Sequence, residues 1–492
     1  MGRWGSEPMK NGRYREMLTL ITIFVLGEMM WYQIGVRFDT FDPVTSPLKN
    51  YVQYVDPELL ANRFTETVWN LHVQPPLFSI FLGLVLQFPE TWHNPLFSLS
   101  YTSMALGLVL VFRAILESWG VSRPWRLGVC VFLAFSPPLV LLSKWLYIQM
   151  PVAFLLMLAT YCLHDTLRRP SPRSYLLYGS CISAISLITG YFHFFWLCVM
   201  LIFPRVVRVD QRSSDAHASQ TTSWLVSCIP AGLIPLLCLK NWFLFGVFAV
   251  STWSNVAPSR TARDCIPEAT MERLIAQGML SPYIRTDIEQ VAIDTFRSPN
   301  TGIAVLDQKR RSSGKRNYNY QPLIEVYRHL GQDAFTIAKH YPAFWGRHAL
   351  SAFVRFQAPA TWSEYAVGEN REKILTWSRF FEYVVWGQGL GYLLHQLLGM
   401  FGWLSLPTIL IPLFTIFGIV DFSRSCVKAG HPDPGSLSRL FVLGNILYVA
   451  LVAIMIADNE YERYHFFSDA LLFLMGCYWL VRLCVRKTIC DY

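Results

Sequence analysis

Charge is scarce in this chain. Of its 492 residues only 15% are Asp, Glu, Lys or Arg, while 53% are hydrophobic. Ordinary soluble domains carry about 25% charged residues, so a conventional water-soluble enzyme is excluded. No two of the 11 cysteines form a Cys-x-x-Cys pair, which removes that metal and redox signature. Cys130, Cys162, Cys181, Cys198, Cys228, Cys238 and Cys477 lie in apolar runs and read as buried free thiols. An Asn-x-Ser/Thr glycosylation acceptor is also missing. No small-residue cleavage site closes the first apolar run, residues 17–36. That run therefore reads as a retained span, with Arg3, Lys10, Arg13 and Arg15 on its cytoplasmic side.

What remains is a chain built from apolar segments. After the first run they cover about 75–88, 97–116, 125–143, 146–164, 174–190, 191–204, 223–249, 401–420, 438–457 and 466–484. A span takes about 20 residues, so 75–88 and 191–204 are short and call for tilt or partial insertion. The expected fold is an all-α polytopic membrane protein of 10 to 12 transmembrane helices. The formal charge is +9, from 42 basic and 33 acidic residues. The basic residues fall between spans, which points to cytoplasmic loops and anionic lipid headgroups and against nucleic acid. Arg123 and Arg126, Arg168 to Arg173, Arg205 to Arg212, Arg424 to Arg439, and Arg486 with Lys487 share the cytoplasmic side if segment 75–88 does not fully cross. This divides the chain into an N-terminal membrane module (1–249), a cap region (250–399) and C-terminal spans (400–492). The two non-cytoplasmic stretches are loop 37–74 and the cap. The cap carries expected helices at 265–278 and 286–297, a basic stretch from Lys309 to Arg316, and amphipathic aromatic segments at 330–357 and 372–398.

Three polar points are expected on the non-cytoplasmic side. Loop 37–74 holds Asp39, Asp42, Asp56, Glu58 and Glu66, and ends in His72-Val73-Gln74-Pro75-Pro76-Leu77. One carboxylate suffices as a general base for an attacking hydroxyl; solvated loop acids are the plain alternative. Pro75 and Pro76 suit a helix start, and a helix N-terminus favours an anion. His72 either meets a phosphate there or caps the turn. The second point is Asp458-Asn459-Glu460-Tyr461-Glu462-Arg463-Tyr464-His465, where Arg463 offers a planar fork to a phosphate or serves as an interfacial anchor. The third is Thr189 to His193, with His193 as a substrate contact or a structural hydrogen bond. Lys240 interrupts an apolar run, where a charge ordinarily has a partner.

These residues together resemble the GT-C superfamily of integral-membrane glycosyltransferases, most nearly the aminoarabinose transferase and protein O-mannosyltransferase group. The resemblance rests on an acid in the first extracytoplasmic loop (Asp56), Gln74-Pro75-Pro76-Leu77 with His72 two residues earlier, and Arg463-Tyr464 before the last helix. It implies a GT-C-like bundle with an extracytoplasmic cap and a sugar donor on polyprenyl or dolichyl phosphate. It also implies transfer to a hydroxyl acceptor with inversion. Asp56 would be the catalytic acid-base residue, and Arg463, His72 and Lys240 would hold the donor phosphate. Glu58, His193, Glu462, Tyr464 and His465 would contact substrate. Members of this group often carry adjacent acids in the loop, whereas here Pro57 separates Asp56 from Glu58, so Asp42 and Asp39 stay open as the acid. The resemblance implies at most a weakly held Mg or Mn, and the sequence shows no metal cluster. The absence of a sequon and of a retention signal favours a bacterial inner membrane over the endoplasmic reticulum. A lipid transporter or flippase would show repeated halves, which the chain lacks. A non-catalytic membrane scaffold is the third reading; the enzyme reading requires Asp56 and Arg463 to converge on one cavity open sideways to lipid, and separation by a full membrane thickness would sink it.

Overall fold

The computed structural model describes residues 7–38, 47–51, 54–206, 224–363, 368–398, 405–429, 433–456 and 461–490. Among them the protein is helical throughout, and its only extended pairing is an isolated bridge between Arg310 and Arg316. The long helices are α1 (Glu7–Gln33), α2 (Pro76–Leu86), α3 (Glu90–Ser118), α4 (Arg123–Ala134), α5 (Gln149–Arg168), α6 (Pro172–Ile188), α7 (Phe194–Val206) and α8 (Trp224–Phe245). The region expected as a cap, residues 250–399, follows with α9 (Val256–Cys265), α10 (Leu323–His340) and α11 (Pro342–Phe356). The chain closes with α12 (Leu406–Ala429), α13 (Pro434–Ile456) and α14 (Tyr461–Cys490). Among the described residues, six helices are long and apolar enough to cross a membrane: α3, α5, α8, α12, α13 and α14.

Of the other expected spans, the first is the unbroken 27-residue helix α1, which is not among the six, and the rest are shorter or interrupted. Segment 125–143 divides into α4 and a short helix Pro137–Leu142, because Pro137 and Pro138 supply no backbone donor to continue the first helix. Segment 75–88 becomes α2, whose 11 residues reach only about 16 Å. It starts at Pro76, as the Pro-Pro pair predicts. Helix α5 occupies the centre and packs against α3, α6, α13 and α14. Gly179 of α6 lies against the backbone of Ser227 in α8, where an added Cβ would sit 2.4 Å from a carbonyl oxygen. Small residues permit such close helix approach.

One end of the bundle is fastened by ion pairs. Glu16 of α1 accepts from Arg126 Nη2 and Nε at 2.6 Å each and from Arg113 Nε at 3.2 Å. Asp421 accepts from Arg439 at 2.6 Å and from Arg482 at 2.7 Å. Trp119 and His164 meet on the hydroxyl of Ser438. These pairings gather the Arg123–Arg126 and Arg424–Arg439 regions at one end, as the charge pattern predicts.

The cap has its own apolar core, which includes Val256, Leu274, Ile284, Tyr320, Tyr327 and Ile337. Val73 from the first loop is fully buried in that core. The expected helix 265–278 is present as Glu268–Ala276. The expected helix 286–297 is absent. Two 3-10 turns, Ile288–Gln290 and Ile293–Thr295, stand in its place. Asp287 turns back onto the Glu289 amide and pairs with Arg260, so local side-chain bonding displaces the helix. Segment 372–398 is likewise broken, with a π-helical turn at Phe381–Val385. Gly387 follows at φ 78°, its Cα facing Leu406 so closely that a Cβ would meet the Leu406 amide at 3.0 Å.

Replacing Glu16 by Gln would leave Arg113 and Arg126 buried without their shared countercharge. Breaking such a pair costs about 3–5 kcal/mol, so E16Q is expected to unfold at markedly lower temperature in detergent. An unchanged unfolding midpoint would show that the cluster contributes nothing to stability.

Candidate functional site

The first loop folds into short helices, Pro57–Asn62 and Phe64–Trp69, before its extended exit into α2. Asp56 caps the first of them, accepting from the Glu58 amide at 3.1 Å. The same carboxylate is gripped from the cap. Its Oδ1 accepts from the Ser312 hydroxyl at 2.6 Å and its Oδ2 from the Ser312 amide at 2.7 Å. Asp56 is buried, and these three bonds leave one acceptor position on Oδ2. Pro57 turns Glu58 away from this contact, and the Glu58 side chain is exposed. Its amide, not its side chain, meets Asp56. Asp39 and Asp42 lie outside the described residues.

Ser312 belongs to a tight hairpin in the cap's basic stretch. The Arg311 amide donates to the Lys315 carbonyl, and Asn317 donates to Lys309. Lys309, Arg310 and Arg316 are all bound within the cap, to the Asp294 carbonyl, the Asp294 carboxylate and the carbonyls of Ile288 and Val291. Arg311 instead reaches the first loop, donating from Nη1 to the carbonyls of Tyr51 at 2.8 Å and Tyr54 at 3.1 Å. Ser313 adds a bond to the Lys49 carbonyl. Burial lowers the pKa of Arg311, with Asp56 opposing.

Arg463 approaches from the first turn of α14 and is buried. It donates to the Tyr464 hydroxyl at 2.7 Å, and its guanidinium lies 5.2 Å from the Tyr147 ring centre. Tyr147 also packs against Tyr51 at 5.1 Å and Tyr54 at 5.6 Å. The loop that carries Asp56 and the turn that carries Arg463 therefore meet on one aromatic cluster, reinforced by the Tyr54 hydroxyl on the Leu146 carbonyl. Beside it lies a cleft of about 90 Å³ lined by Gln74, Thr189, His193, Ser251, Trp253 and Tyr464, among others. Three separate sequence points, the Gln-Pro-Pro turn, the His193 turn and Arg463-Tyr464, are thus brought together. Tyr464 stacks on Tyr191 at 4.1 Å. His193 Nδ1 donates to the Tyr448 hydroxyl at 3.1 Å, and that hydroxyl donates to the Tyr191 carbonyl. Glu462 is half-buried on the same turn.

Three expected ligand contacts are occupied inside the chain. His72 is fully buried, with Nδ1 3.0 Å from the Thr252 hydroxyl and Nε2 donating to the Asn319 carbonyl at 3.0 Å. Lys240 donates to the carbonyls of Trp69 and Leu71 at 3.0 and 2.8 Å. Both groups hold the exit of the first loop rather than face a phosphate. His465 pairs with Asp469 one turn along α14 and packs between Phe356 and Trp386. No group of three His, Cys, Asp or Glu able to hold a metal occurs among the described residues. Arg311, Ser312 and Asn319 belong to no expected site, although the basic run around Arg311 is visible in the sequence. Comparison with protein-family models, with curated proteins and with solved structures finds no match for this chain.

Burial pulls the His72 pKa down to about 4, with the Asn319 carbonyl opposing and Lys240 adding to the drop. In the unfolded chain the same imidazole takes its proton near 6.5. Between those values the unfolded state binds more protons, so this contribution is complete above about pH 6.5 and is lost as pH falls toward 4. It amounts to about 3 kcal/mol. The unfolding midpoint is expected to fall across that window in the wild type and less steeply in His72→Gln. Identical slopes would remove His72 as the cause.

Proposed function

We propose that the protein is an inverting membrane glycosyltransferase that moves a sugar from a polyprenyl-phosphate or dolichyl-phosphate donor to a hydroxyl acceptor. The observation that carries this reading is the meeting of the Asp56 loop and Arg463 on the Tyr51–Tyr54–Tyr147 cluster. A scaffold has no need to bring the loop of a buried carboxylate and a buried arginine onto one aromatic cluster. Six helices apolar enough for a membrane suit a lipid-linked donor. The neighbouring cleft, with Trp253, Tyr191 and Tyr464 among Gln74, Ser251 and His193, offers the mix of ring faces and hydrogen-bonding groups that a sugar or its acceptor requires.

In this mechanism the acceptor hydroxyl oxygen attacks the anomeric carbon. The bond from that carbon to the phosphate oxygen breaks on the opposite face, giving inversion. The hydroxyl proton passes to the remaining acceptor position of Asp56. The bonding pair leaves with the polyprenyl phosphate, and Arg463 stabilises the charge that develops there. The site lies at the end of the bundle remote from the Glu16 cluster, which makes it the extracytoplasmic face if the basic loops are cytoplasmic.

Purified protein supplied with polyprenyl-phosphate sugars and a membrane extract is expected to transfer sugar. Asp56→Asn is expected to lower the rate at least about 100-fold, and Arg463→Gln by about 100- to 1,000-fold, both with folding retained. Full activity of a folded D56N protein would rule out Asp56 as the base. Donor-independent labelling would count against the whole reading.

A further inference from the structure

Two nitrogens of Arg311 stand without a hydrogen-bond partner. Its Nη1 is engaged on the Tyr51 and Tyr54 carbonyls, but Nε and Nη2 are buried and unpaired. The residue is 4% exposed, so water does not replace the missing contacts on a free surface. Among the described residues no carboxylate forms an ion pair with it. Asp56, whose negative charge acts on it, is held by Ser312. Every other charged side chain of the hairpin with a described contact is satisfied inside the cap. Asp56 offsets only part of this buried charge, a buried cation left short of partners is costly, and buried donors are ordinarily paired. Such a group persists where an anion completes it.

The position fits that role. Arg311 holds the backbone of Tyr51 and Tyr54, and Arg463 lies over Tyr147, which packs against both rings. Two buried guanidinium groups thus border one aromatic cluster, one from the cap and one from α14. Nε and Nη2 of a guanidinium form the edge that binds two oxygens of a phosphate in parallel.

We propose that Arg311 supplies, from the cap, a second arginine for a phosphate ester, binding its oxyanion through Nε and Nη2. The proposal rests on the glycosyltransferase reading for the identity of the ester, a polyprenyl phosphate, but the anion site itself does not. The cap hairpin gains a role by it, because the loop, the hairpin and the phosphate are assembled together and donor binding tightens the cap on the loop.

Binding of three probes to the full-length protein in detergent tests the site: farnesyl phosphate, farnesol and inorganic phosphate. Wild type, Arg311→Gln, Arg311→Lys and the control Arg310→Gln are compared, with unfolding midpoints for each. Loss of charge-assisted bonds is expected to weaken farnesyl phosphate about 10- to 100-fold in R311Q. Farnesol binding and the R310Q control are expected to stay unchanged, and R311K to recover only part of the loss. Inorganic phosphate binding that depends on Arg311 as strongly as farnesyl phosphate would assign the site to free phosphate rather than a lipid ester and overturn the donor assignment. Equal weakening of farnesol and farnesyl phosphate, together with a fall in unfolding midpoint, would make Arg311 structural only. No binding of either phosphate by wild type would overturn the site. Sugar transfer is read separately. Arg311-dependent phosphate binding without transfer would sink the transferase reading and keep the anion site, while transfer with unchanged KM in R311Q would do the reverse.

Discussion

The contact between the cap hairpin and the first loop is the interaction on which the candidate site depends. Three consecutive residues, Arg311, Ser312 and Ser313, reach five groups of the loop: the carbonyls of Lys49, Tyr51 and Tyr54, and both oxygens of Asp56. A loop of this length has a large entropy to lose on ordering. Its short helices are at most six residues long, too few to be stable alone. The hairpin supplies the missing partners, and without it Asp56 would have only its own helix cap.

The loop's exit is held by a different set of groups. Thr252 donates to the His72 carbonyl, the Asn319 side chain accepts from the amides of His72 and Val73, and Lys240 donates to the carbonyls of Trp69 and Leu71. Val73 then completes the cap's apolar core. The start of α2 is therefore fixed by buried polar bonds on one side and apolar packing on the other. This places Gln74 at the cleft with His193 and Tyr464. In a low-dielectric setting such bonds are strong when complete and costly when broken, so the junction acts as one unit.

Much of the helical architecture was legible in the residues. Apolar runs in α3, α5, α13 and α14 are long and continuous, and nothing competes with the helix there. The Pro75-Pro76 start of α2 was legible because proline presets a helix's first turn. Breaks were less so. Pro137 and Pro138 divide one apolar run, and Asp287 replaces an expected helix by turns, because a single side chain there outweighs the pattern around it. Of the polar positions, Asp56, Arg463, His193 and Tyr464 do gather at one end, whereas Glu58 faces outward and His72 and Lys240 are tied to the backbone.

What the sequence determined by itself is which segments are long and apolar enough to cross a membrane. Composition and the run length of apolar residues decide that, and both are local quantities. What only the tertiary structure decided is which polar groups remain free for chemistry. His72 and Lys240 look as available in the sequence as Arg311, yet the folded chain engages the first two on carbonyls and a hydroxyl and leaves two nitrogens of the third unpaired. Hydrogen-bond partners hundreds of residues away settle that difference, such as Asn319 for His72, and no periodicity or spacing encodes them.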